Sequence, residues 1–377
     1  MMATVPVSRR TLPSRRALGL LVAATLATLP ALAAGQQQAE VSDGNAPAPA
    51  AATLVERLRQ DRPGMQRADA SGNLVKMNLN GMALTARDLT ELEGMTTVTS
   101  LLLGDTNITD DDLRRIAGMR QLETLGLRGT AITDAGVAHL AELKGLRELF
   151  LADTAITDRS LATVARLPEL ENLGLRGTQV SDAGLAELAT LGKLRHLMLA
   201  GTRVSDDGLR HLSGLTALET LDLSRTPVTG AGLERLAGCS AINNLNLAGT
   251  ATDDSTMPRV ARFASLFYLD LSGTRVTDAG LAALAGLDRL EFLLLSDTAT
   301  TDAGLEQVAK LKALMWLRLE GTGVTDRGLL GLASCPALQS VIAGDTAVSE
   351  AGAQALQRAQ PRIRVSRERR PAEDRDP

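Results

Sequence analysis

Thr130 is followed by Thr154, Thr178, Thr202, Thr226, Thr250, Thr274, Thr298, Thr322 and Thr346, each 24 residues after the last; stepping back reaches Thr106 and then Met82. Eleven of these twelve landmarks are Thr, and no insertion disturbs the count. A period kept this strictly restricts the chain to stacked units, because 24 residues cannot bury their own apolar face and must do so against a neighbour. Composition agrees: of 377 residues 44% are hydrophobic but only 2% aromatic, so the core must be built of repeated Leu, Val, Ile and Ala.

One unit, Leu122 to Asp134, reads L-x-x-L-x-L-x-G-T-x-I-T-D. Leu125 and Leu127 alternate with Thr124, Gly126 and Arg128, the period-2 pattern of a short strand buried on one face. Gly129 and Thr130 make the turn, where glycine supplies a positive φ, as Gly177 and Gly273 do in other units. Ile132 then re-enters the core. Further on, Leu185, Leu188 and Ala189 show the i, i+3, i+4 spacing of a short helix. Strand, turn and helix recurring every 24 residues oblige successive strands to lie parallel, about 4.8 Å apart.

These residues resemble the leucine-rich repeat family, in its 24-residue bacterial type with Gly-Thr in the turn and Thr-Asp-Ala-Gly-Leu after it. The cysteine-containing repeats of F-box ubiquitin-ligase receptors are similar. The resemblance implies an α/β leucine-rich-repeat solenoid, a horseshoe with a parallel sheet on its concave face and short helices on its convex face. Functionally it implies a recognition module and leaves the ligand class open, since such folds host many functions. Thr stands where the family's turn usually has Asn; its hydroxyl is expected to bond backbone groups of the neighbouring turn.

Residues 1–33 read as an export signal: Arg9, Arg10, Arg15 and Arg16 precede an uncharged stretch from Ala17 to Ala34 that ends in Ala31-Leu32-Ala33. A retained membrane anchor is the rival reading, as is twin-arginine export from Ser14-Arg15-Arg16. Residues 34–53 read as a Gln/Ala/Pro linker. Residues 54–365 form the repeat domain of about twelve units, opened by a capping helix at Leu54 to Arg59. A capping hairpin follows, Met65–Arg67 with Leu74–Leu79, and Ile363–Val365 makes a closing strand. Residues 366–377 read as a disordered charged tail. The expected location is secreted or periplasmic, with membrane contact only if the signal is retained.

Chemistry finds little footing. A net charge of −4 excludes an overall basic nucleic-acid binder. Asp110, Asp134, Asp158, Asp182, Asp206, Asp254, Asp278, Asp302 and Asp326 recur at one repeat position, and each is expected to cap the free N–H groups of the helix it begins rather than hold calcium. Cys239 and Cys335 lie 96 residues, four units, apart, about 19 Å at 4.8 Å per rung, too far for a disulfide, and read as core. His139 and His211 fall on the helical side and His196 on the strand face, with no two adjacent. The reading is a non-enzyme with no metal and no cofactor.

The exposed strand positions are the informative ones, because packing does not dictate them. They lie five, three and one residues before the turn glycine, three in each of twelve units, 36 of 377 residues; yet four of the six aromatics, Phe150, Tyr268, Phe292 and Trp316, fall there. Tyr268, Phe292 and Trp316 occupy one slot in three consecutive units and should stack side by side, with Leu294, Arg318, Glu320 and Asp270 beside them as an apolar centre and charged rim. Phe150, His196 and Met198 form a second, weaker patch. The expected function is an exported, non-catalytic module that binds a protein or peptide partner, with a glycan as the other ligand class, and that acts as a monomer. A structural or adhesive envelope protein is the alternative, in which the aromatic row only stabilises the sheet. A ubiquitin-ligase substrate receptor is the third reading.

Overall fold

The computed structural model describes residues 53–62 and 64–368; the expected export signal and most of the linker lie outside them. A single 14-stranded sheet runs in sequence order. Its strands are β1 (Gln66–Ala68), β2 (Leu74–Asn78), β3 (Ser100–Leu102), β4 (Thr124–Gly126), β5 (Glu148–Phe150), β6 (Asn172–Gly174), β7 (His196–Met198), β8 (Thr220–Asp222), β9 (Asn244–Asn246), β10 (Tyr268–Asp270), β11 (Phe292–Leu294), β12 (Trp316–Arg318), β13 (Ser340–Ile342) and β14 (Arg364–Ser366). β1 pairs antiparallel with β2, and every later pair is parallel. The register is the repeat itself: Leu269 lies opposite Leu245 and Leu293. This is the open leucine-rich-repeat solenoid that the period predicts.

The middle residue of every strand from β3 to β13 points inward. Leu125, Leu149, Leu173, Leu197, Leu221, Leu245, Leu269 and Leu293 are all wholly buried, forming a column of leucine down the core. The return path is one short helical turn, such as Asp134–Ala138 or Asp302–Val308, whose Val137 or Leu305 and Val308 pack back on that column. Stability of such an array is a sum of unit and neighbour contributions, so its ends need closing. At the N-terminus the helix Leu54–Asp61 carries a capping box between Thr53 and Glu56 and buries Leu54 and Leu58 completely. At the other end the helix Glu350–Ala359 buries Leu356, and Ile363 leads into β14. The closing strand ends at Ser366, and Arg367 donates to the Val348 carbonyl and pairs with Glu350. The ordered array therefore extends past the expected boundary at residue 365.

Two ladders of polar side chains differ from expectation in instructive ways. Each landmark Thr turns its hydroxyl inward on its own turn: Thr130 donates to the Leu127 carbonyl at 2.6 Å, and Thr106 through Thr346 repeat the bond at 2.6–2.7 Å. The neighbouring turn is reached by backbone N–H groups instead, as from Gly129 to Ala152. The recurrent Asp residues do not cap their own helices. The cap is usually the Thr or Ser before it, Thr133 accepting from Ala135 N–H for example, and before Asp254 it is Asp253, accepting from Ser255 N–H; the recurrent Asp carboxylate reaches forward to the next unit's cap. Asp110 accepts from the Thr133 N–H at 2.8 Å and its hydroxyl at 2.5 Å. Asp278 does the same with Thr301, and Asp326 with Ser349. Nine such staples tie consecutive units together. The physical reason is pitch: rungs about 4.8 Å apart put the next helix's N-terminus within one side chain's reach.

The staple also explains the glycine of Thr-Asp-Ala-Gly-Leu. A Cβ on Gly136, Gly184, Gly208, Gly280, Gly304, Gly328 or Gly352 would collide with the carboxylate of the preceding unit's Asp. The exceptions obey the same rule. Ser160 replaces glycine and donates to Asp134 at 2.5 Å. Where the Asp is replaced by Gly230, the position 26 residues on is Thr256, whose side chain fills the space that a Cβ at 230 would need; where it is replaced by Ala86, that position is Asp112, which instead accepts from Thr109 of its own helix.

Cys239 and Cys335 are buried free thiols, as the four-unit spacing requires. Burial pushes both thiols up, Cys335 to about 11, which leaves almost no reactive thiolate at neutral pH. Among the described residues no helix is long and apolar enough to cross a membrane.

Candidate functional site

On the sheet's open face, β10, β11 and β12 set Tyr268, Phe292 and Trp316 directly opposite one another. Their ring centroids are 6.3 Å and 6.2 Å apart, and the interplanar angle narrows from 34° to 23° along the row. The rings thus stand farther apart than the rungs, the offset arrangement that aromatic quadrupoles prefer. Phe267, on the residue before β10, meets Phe292 edge-on at 6.4 Å. Sequence reasoning passed over it because it precedes the strand. A usable sign was there, since the equivalent slot holds Glu123, Arg147, Glu171, Arg195 and Glu219, an alternation of charge that breaks at Asn243 and Phe267. In the charged stretch the slot makes rung-to-rung ion pairs, Arg147 with Glu171 at 2.8 Å and Arg195 with Glu219 at 2.5 Å.

Tyr268 and Phe292 are half-buried, whereas Trp316 is 44% exposed. Of the three exposed large hydrophobic residues among those described, the others are Met65 in the first hairpin and Leu330 on the helical side, so Trp316 alone lies on the sheet.

The expected charged rim is different in kind. Asp270 is only 9% exposed and Glu320 only 3%, so neither is a solvated rim group. Glu320 accepts from Arg318 Nε at 3.2 Å and lies 3.4 Å from the Ser296 hydroxyl. Asp270 accepts from the Ser272 N–H at 2.9 Å. Burial pushes the Asp270 carboxyl up to about 6, with Asp222 adding repulsion and Arg318 pulling the other way. Alongside the rings there is therefore a submerged polar seam with half-buried Leu294 and Arg318 above it. Glu320 is held by Arg318 of its own rung and lies beside Ser296 of the rung before.

The second patch is not brought together. Phe150 on β5 leans over Gly174 on β6, where an added Cβ would sit 3.1 Å from its ring, and His196 and Met198 lie a further rung away on β7. His196 instead shares a 2.9 Å hydrogen bond with Thr220, and burial holds its imidazole below the ordinary range. Among the described residues no group of three or more His, Cys, Asp or Glu side chains is placed to hold a metal ion.

Two segments, residues 214–237 and 264–285, match a family model described as leucine-rich repeat. No curated protein matches the chain in sequence. Among solved structures, an internalin from Listeria monocytogenes is similar with a TM-score of 0.59 at 19% identity, covering 84% of this chain and 95% of that one. A leucine-rich-repeat protein of Leptospira interrogans gives a TM-score of 0.49 at 19% identity over 78% of this chain and 90% of its own.

Proposed function

Taking as premise that family match and fold together support a leucine-rich repeat protein, we propose that this one is an exported, non-catalytic recognition module that binds a protein or peptide on the concave sheet face. The observation that carries the reading is the aromatic row, three rings in one register slot with Trp316 left open to solvent. A ring kept in water forgoes the roughly 1.5–3 kcal/mol that burying a large apolar side chain contributes. Cross-strand pairing returns only ~0.2–1 kcal/mol per pair. Trp and Tyr are also the side chains that dominate binding energy where two proteins meet. A structural envelope protein remains the second reading, and it treats the row as a sheet stabiliser only.

The two readings part in one experiment. Mature chain should be used as bait, wild type beside a Phe292→Ala/Trp316→Ala variant. Under the recognition reading the variant loses at least about 2 kcal/mol of partner affinity, near thirtyfold, with little change in melting temperature. A melting temperature that collapses while capture is unchanged would hand the row to the structural reading. Export is tested separately: intact mass of the extracytoplasmic protein should give a new N-terminus near Ala34, and a full-length mass in the membrane fraction would support the retained anchor instead.

A further inference from the structure

The register slot that holds Tyr268, Phe292 and Trp316 continues into Ser340 on β13 and Arg364 on β14. Ring follows ring for three rungs and then stops at a hydroxymethyl group, so one side of Trp316 has no neighbouring ring, which accords with its 44% exposure. Two rungs separate Trp316 from Arg364, roughly 10 Å at sheet spacing. A further ring placed at the spacing already used in the row, 6.2 Å, would lie over Ser340 with Trp316 on one side and the Arg364 guanidinium on the other. Such a ring gains an offset stack and a cation–π contact together.

Nothing in this chain can supply it. All six aromatic residues lie between Phe150 and Trp316, so neither the segment before the solenoid nor the one after it carries a ring. The nearest charge in the slot is positive. Arg364 is exposed and, among the described residues, makes no ion pair, whereas Arg367 is exposed but pairs with Glu350. Resting on the recognition reading above, we infer that the vacant place over Ser340 receives an aromatic side chain of the protein partner, flanked in the partner by acidic residues. The aromatic group continues the stack, and the acidic flanks meet Arg364.

Trp316 is the chain's only tryptophan, so its fluorescence reports on this place alone. The full chain is titrated with the blocked tripeptide Asp-Phe-Asp, and in parallel with Asp-Leu-Asp, Lys-Phe-Lys, adenosine monophosphate and a β-glucan oligosaccharide. The expected result is a saturable change with Asp-Phe-Asp, three- to tenfold weaker with the Leu and Lys versions. Ser340→Phe, which fills the place with a ring of the protein's own, should abolish the change at an unaltered unfolding midpoint, and Arg364→Ala should weaken it severalfold. The inference is overturned if Asp-Leu-Asp matches Asp-Phe-Asp, if no peptide moves the signal, or if the nucleotide or the oligosaccharide moves it where the Phe peptide does not. A captured partner that depends on Trp316 but is indifferent to Ser340→Phe would overturn this inference while leaving the recognition reading standing.

Discussion

Gly304→Val should lower the unfolding free energy by about 2–4 kcal/mol, a large effect for a single substitution. The position lies in the first turn of the helix Asp302–Val308, where valine is if anything a better helix former than glycine, so propensity accounts for none of that loss. The cause is steric. A side chain at 304 meets the Asp278 carboxylate and is hemmed in by Leu281 and Thr300. Asp278 cannot yield without releasing the Thr301 N–H and hydroxyl, which it holds at 2.7 Å and 2.5 Å. Serine should be tolerated better than valine, since Ser160 shows how a hydroxyl at the equivalent place donates to the Asp instead of expelling it. The Asp278→Ala/Gly304→Val pair should be less harmful than the two single changes added together, by at least about 1 kcal/mol. Denaturant unfolding of the four proteins measures this directly, and strictly additive losses would sink the steric account.

Asp270→Asn should stabilise the protein at neutral pH, by up to about 3 kcal/mol if the full displacement of the carboxyl is realised. The sign follows from the direction of the shift. Burial lifts the Asp270 carboxyl from 3.8 to about 6, so the folded chain holds a proton there that the unfolded chain has released. The group favours folding fully below the unfolded value; that contribution is lost as pH rises through about 6, beyond which the buried charge remains a constant burden. An amide removes the burden and keeps the hydrogen bond, as Asn246 on the adjacent rung does by accepting from the Ala248 N–H at 2.9 Å. The advantage of the variant should therefore be present at pH 7 and gone near pH 4. Carboxylates such as Asp326, held low by the Ser349 hydroxyl and N–H, act with the opposite sign and weaken the fold in acid, but equally in both proteins. An advantage that is the same at both pH values would count against burial as the cause.

The aromatic row could be read from sequence because the repeat fixes which strand positions face outward, and packing leaves their identity free. The core leucines were legible for the converse reason, that packing leaves them no freedom. The fate of Asp270 and Glu320 was not legible. They occupy two different outward-facing slots, three and one residues before the turn glycine, and sequence alone does not show that both are submerged. The Asp ladder was visible as a periodic residue but misassigned to its own helix, since sequence shows the period and hides the direction in which a side chain reaches. Phe267 escaped because attention to alternation within the strand ignores the residue just before it.

The staple has a consequence for how such a protein can be lengthened or trimmed. Ser160 and Asp134 stand 26 residues apart, as do Gly232 and Asp206, and the period is 24. No single-repeat window, wherever its frame is drawn, contains both members of a pair. A copied unit therefore arrives carrying one half of two different agreements, and it fits only where its neighbours hold the complementary halves. Along most of the array every neighbour does, so an added or deleted unit leaves no scar. Between Gly230 and Thr256 the halves differ: a standard unit spliced there would set an Asp against Thr256 and a bare glycine after Gly230. That junction is a keyed seam in an otherwise interchangeable stack, and shuffling of units should respect it.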